Sequence, residues 1–312
     1  MMDFPDYVPA AVRKHISARI DGDSRESFGL AAALASAERQ LVKIEQKLND
    51  RMNSGDLGLL DGLRQQKAQA IQHRDWLASD VSCLQRLARD LRMAEVFTIL
   101  TDQFTDDQQW RNFILSAWAA KIDYSKYREK LKRATELTGE ISKASQGLAQ
   151  LLRQFSETGI NAPDAFYSIP ELLRTTDNTD MNGHNLEMWR AMRQHVLGDR
   201  KAYDNTEEEK VRDTQRYIWG LAPDFSALLD TVANEARHFK PSESGMIGAA
   251  VATRQHSAKT EYLRALGHRL TDTYRFTLSP DILKAVAIVA NVVIDDAEID
   301  VSYDDVRKAI KT

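Results

Sequence analysis

The chain has 312 residues, 43% of them apolar and 28% charged, a balance that builds folded domains and excludes a disordered chain. Its 42 basic and 46 acidic side chains leave a formal net charge of −4, divided as +1 over residues 1–159 and −5 over residues 160–312, so neither part is basic enough to bind nucleic acid over its whole surface. The one cysteine, Cys83, excludes an intramolecular disulfide, and only 7 prolines and 14 glycines interrupt the chain, which favours long elements.

The first residues, MMDFPDYVPAAVRKH, lack a basic segment followed by an apolar run, so no secretory signal is expected. The longest apolar stretch, AVAIVANVVI at 285–294, is interrupted by Asn291 and falls short of the roughly 20 residues of a membrane span. A cytoplasmic protein without membrane association is the expectation.

Long amphipathic helices fill the first part of the chain. Leu30, Leu34, Ala37, Leu41, Ile44 and Leu48 alternate in steps of four and three, a coiled-coil-like seam with Glu38, Arg39, Lys43, Glu45 and Lys47 off it. MNSGDLG at 52–58 predicts a turn, and a second helix is expected from about Leu59 toward Leu100, with Leu77, Val81, Leu84, Ala88 and Leu91 repeating the seam, so the two helices are expected to fold back as a hairpin. Cys83 lies in that seam and reads as a core thiol. Thr105, followed by two aspartates, predicts a helix start, and Trp110, Phe113, Ile114, Ala117 and Trp118 share one face beyond it. A third long helix is expected from about Tyr124 to Phe155, with Leu131, Ala134, Ile141, Leu148, Leu152 and Phe155 in register, a rod that either packs in a bundle or projects to meet a partner.

Gly159 and Pro163 break the pattern, and the domain boundary is placed there: a long-helix bundle over 1–159 for scaffolding or oligomerisation, then a compact helical domain over 160–312. Shorter elements follow: a helix with Pro170 near its start, a polar loop at 175–183, and a helix from about Asn185 stopped by Gly198. Thr206 with Glu209 fits a capping box, which explains the acidic run Glu207, Glu208, Glu209. Ser279, Pro280 and Asp281 form a strong start signal for a helix that is apolar nearly all round, and Ser302 caps a last short helix. No convincing strand pair or βαβ alternation is visible, so the fold class is all-α.

Chemistry is sparse. HFKPSESGMIGAAVATRQH, 238–256, places Lys240, Ser242, Ser244, Arg254 and Lys259 around Gly245 and Gly248, a candidate anion site. A phosphate loop needs a preceding strand, whereas DTVANEARHF upstream is helical, and Ser242 with Glu243 suits the start of a packed helix whose face is Gly245, Gly248, Ala249 and Ala250. His184 with Glu187 and His195 with Asp199 have ligand-like spacing, but the two histidines lie about 16 Å apart along a helix and cannot share a metal. No nucleophile motif appears. No catalytic residue, metal or cofactor is assigned, and the chain is not expected to be an enzyme.

Lys126, Arg128, Lys130, Lys132 and Arg133, interrupted by Glu129 alone, form the best nucleic-acid candidate, with Tyr124 and Tyr127 nearby for stacking. Solvated pairing with neighbouring acids is the competing reading of those cations. The function expected from seamed helices, balanced charge and no chemical motif is a non-catalytic interaction or assembly protein. It would bind a protein partner or itself; nucleic-acid association is the alternative and a phosphate-ligand site at 240–259 a distant third.

Overall fold

The computed structural model describes residues 3–23, 27–54, 60–176, 183–199, 206–252 and 256–310. The protein is all-α. Two compact units are formed: Met1–Arg128 with Glu243–Thr312, called unit 1, and Glu129–Ser242, called unit 2.

In unit 1, helix α1 (Ala10–Asp21) buries Val12, Ile16 and Ile20, one residue per turn. A two-residue antiparallel pair, Gly22–Asp23 with Ser27–Phe28, follows it. Helices α2 (Leu30–Ser54) and α3 (Leu60–Arg89) pack on each other as the expected hairpin; most of the turn read at 52–58 lies outside the described residues. Their seams are buried within the chain: Leu30, Ala37, Leu41, Ile44 and Leu48 on one helix, Leu77, Cys83, Leu84 and Ala88 on the other. Leu34 and Val81 are half-buried, and Leu91 is 81% exposed because the second helix, expected to run toward Leu100, ends at Arg89.

Helix α4 (Met93–Thr101) and helix α5 (Asp107–Ala119) complete this wall. The cap of α5 is Asp106, one residue past the expected Thr105. Its carboxylate accepts from the Gln109 amide at 2.7 Å while the Gln109 side chain accepts from the Thr105 amide, a reciprocal box that Thr105 could not close from its position. Phe104 stacks edge-on against Trp110 and Phe113 in the core beneath.

Helix α6 (Ser125–Glu157) is the longest element; Ser125–Arg128 belong to unit 1 and the rest to unit 2. Unit 2 continues through α7 (Ile169–Thr175), capped by Ser168, then α8 (Gly183–Val196), α9 (Thr206–Gly220) and α10 (Phe225–His238). Gly198, at φ +71, ends α8 as expected, and a side chain there would press on the Arg212 carbonyl. The loop read at 175–183 lies mostly outside the described residues.

The chain returns to unit 1 with α11 (Gly245–Val251), α12 (Ala258–His268), α13 (Pro280–Ile294) and α14 (Tyr303–Ile310). The start of α13 matches its sequence signal: Ser279 accepts from the Ile282 amide, with Pro280 in the first turn. Ile282, Leu283, Ala285, Val286, Val289, Ala290, Val292 and Val293 are all buried, and α13 packs on α3, α4, α5, α12 and α14. Because this all-round apolar helix needs neighbours on every side, it draws the C-terminal residues into one core with the N-terminal helices. The packing division therefore falls at Arg128 and Ser242, whereas Gly159 and Pro163 mark only the end of α6.

Candidate interaction surface

The two units differ in what they bury. Every residue of the main core cluster, and of the small cluster of Ile44, Leu48 and Leu60, belongs to unit 1. Among the described residues of unit 2 the buried apolar side chains are Ala149, Leu152, Leu197 and Ala233. The large apolar side chains left exposed among the described residues follow the opposite bias: 17 of 22 are in unit 2. Scattered exposed apolar residues are ordinary, but a contiguous apolar face marks a binding surface.

That face is clearest on α6. Ala134, Leu137, Ile141, Ala144, Leu148, Leu151 and Phe155 alternate in steps of three and four along it. Leu137, Ile141, Leu148, Leu151 and Phe155 are all exposed. Of the positions in register on this helix, Ile141, Leu148 and Phe155 lie on the exposed side and Leu152 alone is buried, so that spacing joined two sides of the helix. Leu152 is 8% exposed and Leu151 is 62% exposed, so adjacent leucines divide between the inner and outer faces.

The inner face of α6 carries small residues because α10 lies against it. The Ser142 hydroxyl donates to the Ala233 carbonyl at 2.8 Å, Arg237 donates to the Gln146 side chain at 3.3 Å, and Arg153 pairs with Asp230. Ser142, Ala149, Ser226 and Ala233 are buried, and their size lets two backbones approach. Asp224 caps α10 by accepting from the Ala227 amide and the Ser226 hydroxyl, bonds that hold its carboxyl below the usual carboxylate range. α10 has its own outward stripe in which Phe225, Leu228, Val232 and Phe239 again step by three, four and seven; Leu228, Val232 and Phe239 are exposed.

The two stripes meet in a groove of about 450 Å³ lined by Leu148, Leu151, Leu152 and Phe155 of α6, Phe225 of α10, and Ala165, Phe166 and Leu172 from the α7 region. No polar side chain lines it. Such a groove accepts apolar anchors from a partner and offers nothing for acid–base or phosphate chemistry. Leu137, Leu151, Leu228, Val232 and Phe239 escaped the sequence reading; counting strict three–four alternation on α6, as was done on α2, picks out the first two.

The sequence candidates for charged ligands are distributed differently. Of the basic stretch, Lys126 and Lys132 are exposed, Arg128 pairs with Glu261, and Arg133 pairs with Glu136 at 3.3 Å and Glu140 at 3.2 Å. Glu261 is 5% exposed and also receives His256, so Arg128 is a structural counter-ion within unit 1. Lys130 is exposed in unit 2.

For the anion candidates, Lys240 and Ser242 belong to unit 2 and Ser244 and Lys259 to unit 1, while Arg254 lies outside the described residues. Lys259 is held by Asp305 at 3.1 Å and by the Asp300 carbonyl at 3.2 Å. The cap position of α11 falls at Ser244, two residues beyond the expected Ser242, and the Ser244 side chain makes no cap bond. A side chain at Gly248 would strike the Glu243 carbonyl, so this glycine serves the fold of the turn into α11. His184 has no described side chain, and the Asp199 carboxylate is clasped by Arg174 at 2.7 and 3.0 Å. Among the described residues no group of three or more His, Cys, Asp and Glu side chains is placed to hold a metal.

A polar cleft of about 630 Å³ lies in unit 1 between Arg92, Glu95, Asn291 and the loop Asp295–Asp300. Three of its acids help hold the loop: Asp295 pairs with Arg86 at 3.3 Å, Asp296 accepts from the Glu298 amide, and Asp300 accepts from Asn291 at 3.5 Å. Asn291 both donates to the Val301 carbonyl at 3.0 Å and accepts from the Val301 amide at 2.8 Å, closing the turn from α13 to α14. Burial pushes the Cys83 thiol up to about 11, the signature of an inert core sulfur.

No helix among the described residues is long and apolar enough to cross a membrane. Comparison with protein families, with characterised proteins and with solved structures finds no match for the chain.

Proposed function

We propose that this chain is a non-catalytic cytoplasmic interaction or assembly protein that engages a helical protein partner through the outward face of unit 2. The carrying observation is the imbalance of burial: 17 of 22 exposed large apolar residues lie in unit 2, against four buried apolar ones among its described residues. Apolar area left in water forgoes about 25 cal/mol per Å², and a partner supplying matching apolar anchors recovers it. Heptad spacing on α6 and α10 selects a helix as the matching shape, since three–four alternation presents a straight seam only to another helix. Cytoplasmic residence accords with a single, buried cysteine and no disulfide framework.

The test is capture of the tagged full chain from its native host after nuclease treatment, beside the variant Leu151→Glu. The expected result is a stoichiometric protein partner that survives nuclease and is lost with the variant. Recovery indifferent to Leu151→Glu, or partners removed by nuclease, would defeat the reading and shift attention to Lys126 and Lys132.

A further inference from the structure

We propose that Asp80 is an acid-operated latch in unit 1, which seats α1 and α5 on α3 while its carboxyl is uncharged and loosens that seat when the carboxyl ionises. Asp80 stands in the buried stripe of α3, three residues after Leu77 and four before Leu84, at the spacing of an apolar seam position. A leucine there would complete the stripe. The aspartate is 5% exposed, and among the described residues no cation closes an ion pair with it. The donor directed at its carboxylate is the Trp118 indole N–H on α5, an atom itself buried without a closed hydrogen bond. A charge placed in a core without a closed pair is costly, and the position is bistable for that reason.

Two cations stand near the carboxyl without closing on it. Arg19 of α1 lies over the Trp118 ring, 4.6 Å from its centroid, and Lys121, just past α5, donates to the neighbouring Ser79 at 2.9 Å. Both favour the charged form of Asp80, as the Trp118 N–H does, and Cys83 is the titratable neighbour on its own helix. α2, α4 and α13 also pack on α3, but among the described residues they bring no charge to bear on Asp80. Burial outweighs the attractions and pushes the carboxyl up from the usual aspartate value. Uncharged, Asp80 rests in the stripe with Trp118 against it. Ionised, it is drawn toward water, Arg19 and Lys121, and the seat of α1 and α5 opens locally. A carboxyl raised on folding contributes most below its ordinary pKa, and that contribution is lost as pH rises through the folded value. The seat is therefore tight in mild acid and looser near neutrality.

The experiment is hydrogen exchange of the full chain, read by mass spectrometry on α1 and α5 from about pH 4 to about pH 8. Wild type and Asp80→Asn are followed side by side, so that the intrinsic pH dependence of exchange cancels in their ratio. Asparagine keeps the shape of the side chain and an acceptor for the Trp118 N–H, and it never ionises. The expected result is faster exchange of α1 and α5 in wild type than in Asp80→Asn near neutral pH, with the ratio falling to one in acid. A ratio of one throughout, or faster exchange in Asp80→Asn near neutral pH, overturns the proposal. Wild type alone gives an independent reading should the variant fail to fold. Its Asp80 carboxyl carbon, followed by nuclear magnetic resonance, is expected to titrate above the usual aspartate range, and an ordinary or lower midpoint overturns the latch.

Discussion

Asp305 shows how much one side chain does in this fold. Its carboxylate accepts from the Ser302 amide at 3.0 Å and hydroxyl at 2.8 Å, and pairs with Lys259 at 3.1 Å, tying α12 to the start of α14. The Ser302 bonds, with Lys259 adding to them, lower its pKa from 3.8 to about 2. A carboxyl depressed on folding stabilises the folded chain above its ordinary pKa, and that contribution is lost as pH falls through the folded value. Unit 1 of the wild type is therefore expected to lose an increment of stability between about pH 5 and pH 2 that Asp305→Asn lacks. Melting temperatures of the two proteins across that range are expected to differ most near neutrality and to converge in acid. Parallel pH profiles would show that the Ser302–Lys259 clasp contributes nothing. The capping serine was visible in the sequence. Lys259, 46 positions away, was read as an anion contact because sequence proximity to Ser244 is not spatial engagement.

Among elements, α2 and α6 make the sharpest contrast. Both carry leucine-rich seams at coiled-coil spacing, and helix type was legible for each; the face was legible for α2, whereas on α6 the spacing joined Leu152 of the inner side to Ile141, Leu148 and Phe155 of the outer one. Their fates differ because α3 covers the seam of α2, whereas α10 lies against the small-residue flank of α6 and the seam stays exposed, bordered at its far end only by Phe166 and Leu172. Periodicity tells which side of a helix is apolar; what covers that side is decided by packing with distant segments, which local spacing does not encode. A pair of truncations measures the difference. In dilute protein, Leu152→Ala is expected to cost about 2 kcal/mol, the low end for a buried leucine because it borders an open groove. Leu151→Ala is expected to stay within about 0.5 kcal/mol, as for other exposed positions. Denaturant titration followed by circular dichroism gives both numbers, and equal costs would mean that the two faces of α6 are wrongly assigned.

For the whole molecule, the decisive property is unequal consolidation. Unit 1 gathers its helices around α13 and an aromatic cluster, whereas the described residues of unit 2 are held by a few buried apolar side chains and polar ties such as Arg174 to Asp199 and Trp219 to the Val196 carbonyl at 3.0 Å. Such a body is expected not to melt as one cooperative block. Two calorimetric transitions are expected, with unit 2 first, and a bound partner should raise only the first. A single transition would contradict the unequal cores. The packing division itself was not readable from punctuation. Glycine and proline at 159–163 end a helix, while membership of a core depends on where α13 finds neighbours.

The thin interior of unit 2 bears on how long a solitary chain persists in a cell. Degradation and chaperone capture act on locally opened segments, at rates set by how often those segments open. If the outward face of unit 2 engages a partner as proposed, a newly made copy meeting none offers α6 and α10 to that machinery, and a bound copy withdraws them. Abundance is then expected to follow partner supply instead of synthesis, and a substitution on the outer face of α6 is expected to lower the amount of protein while leaving the fold of unit 1 intact.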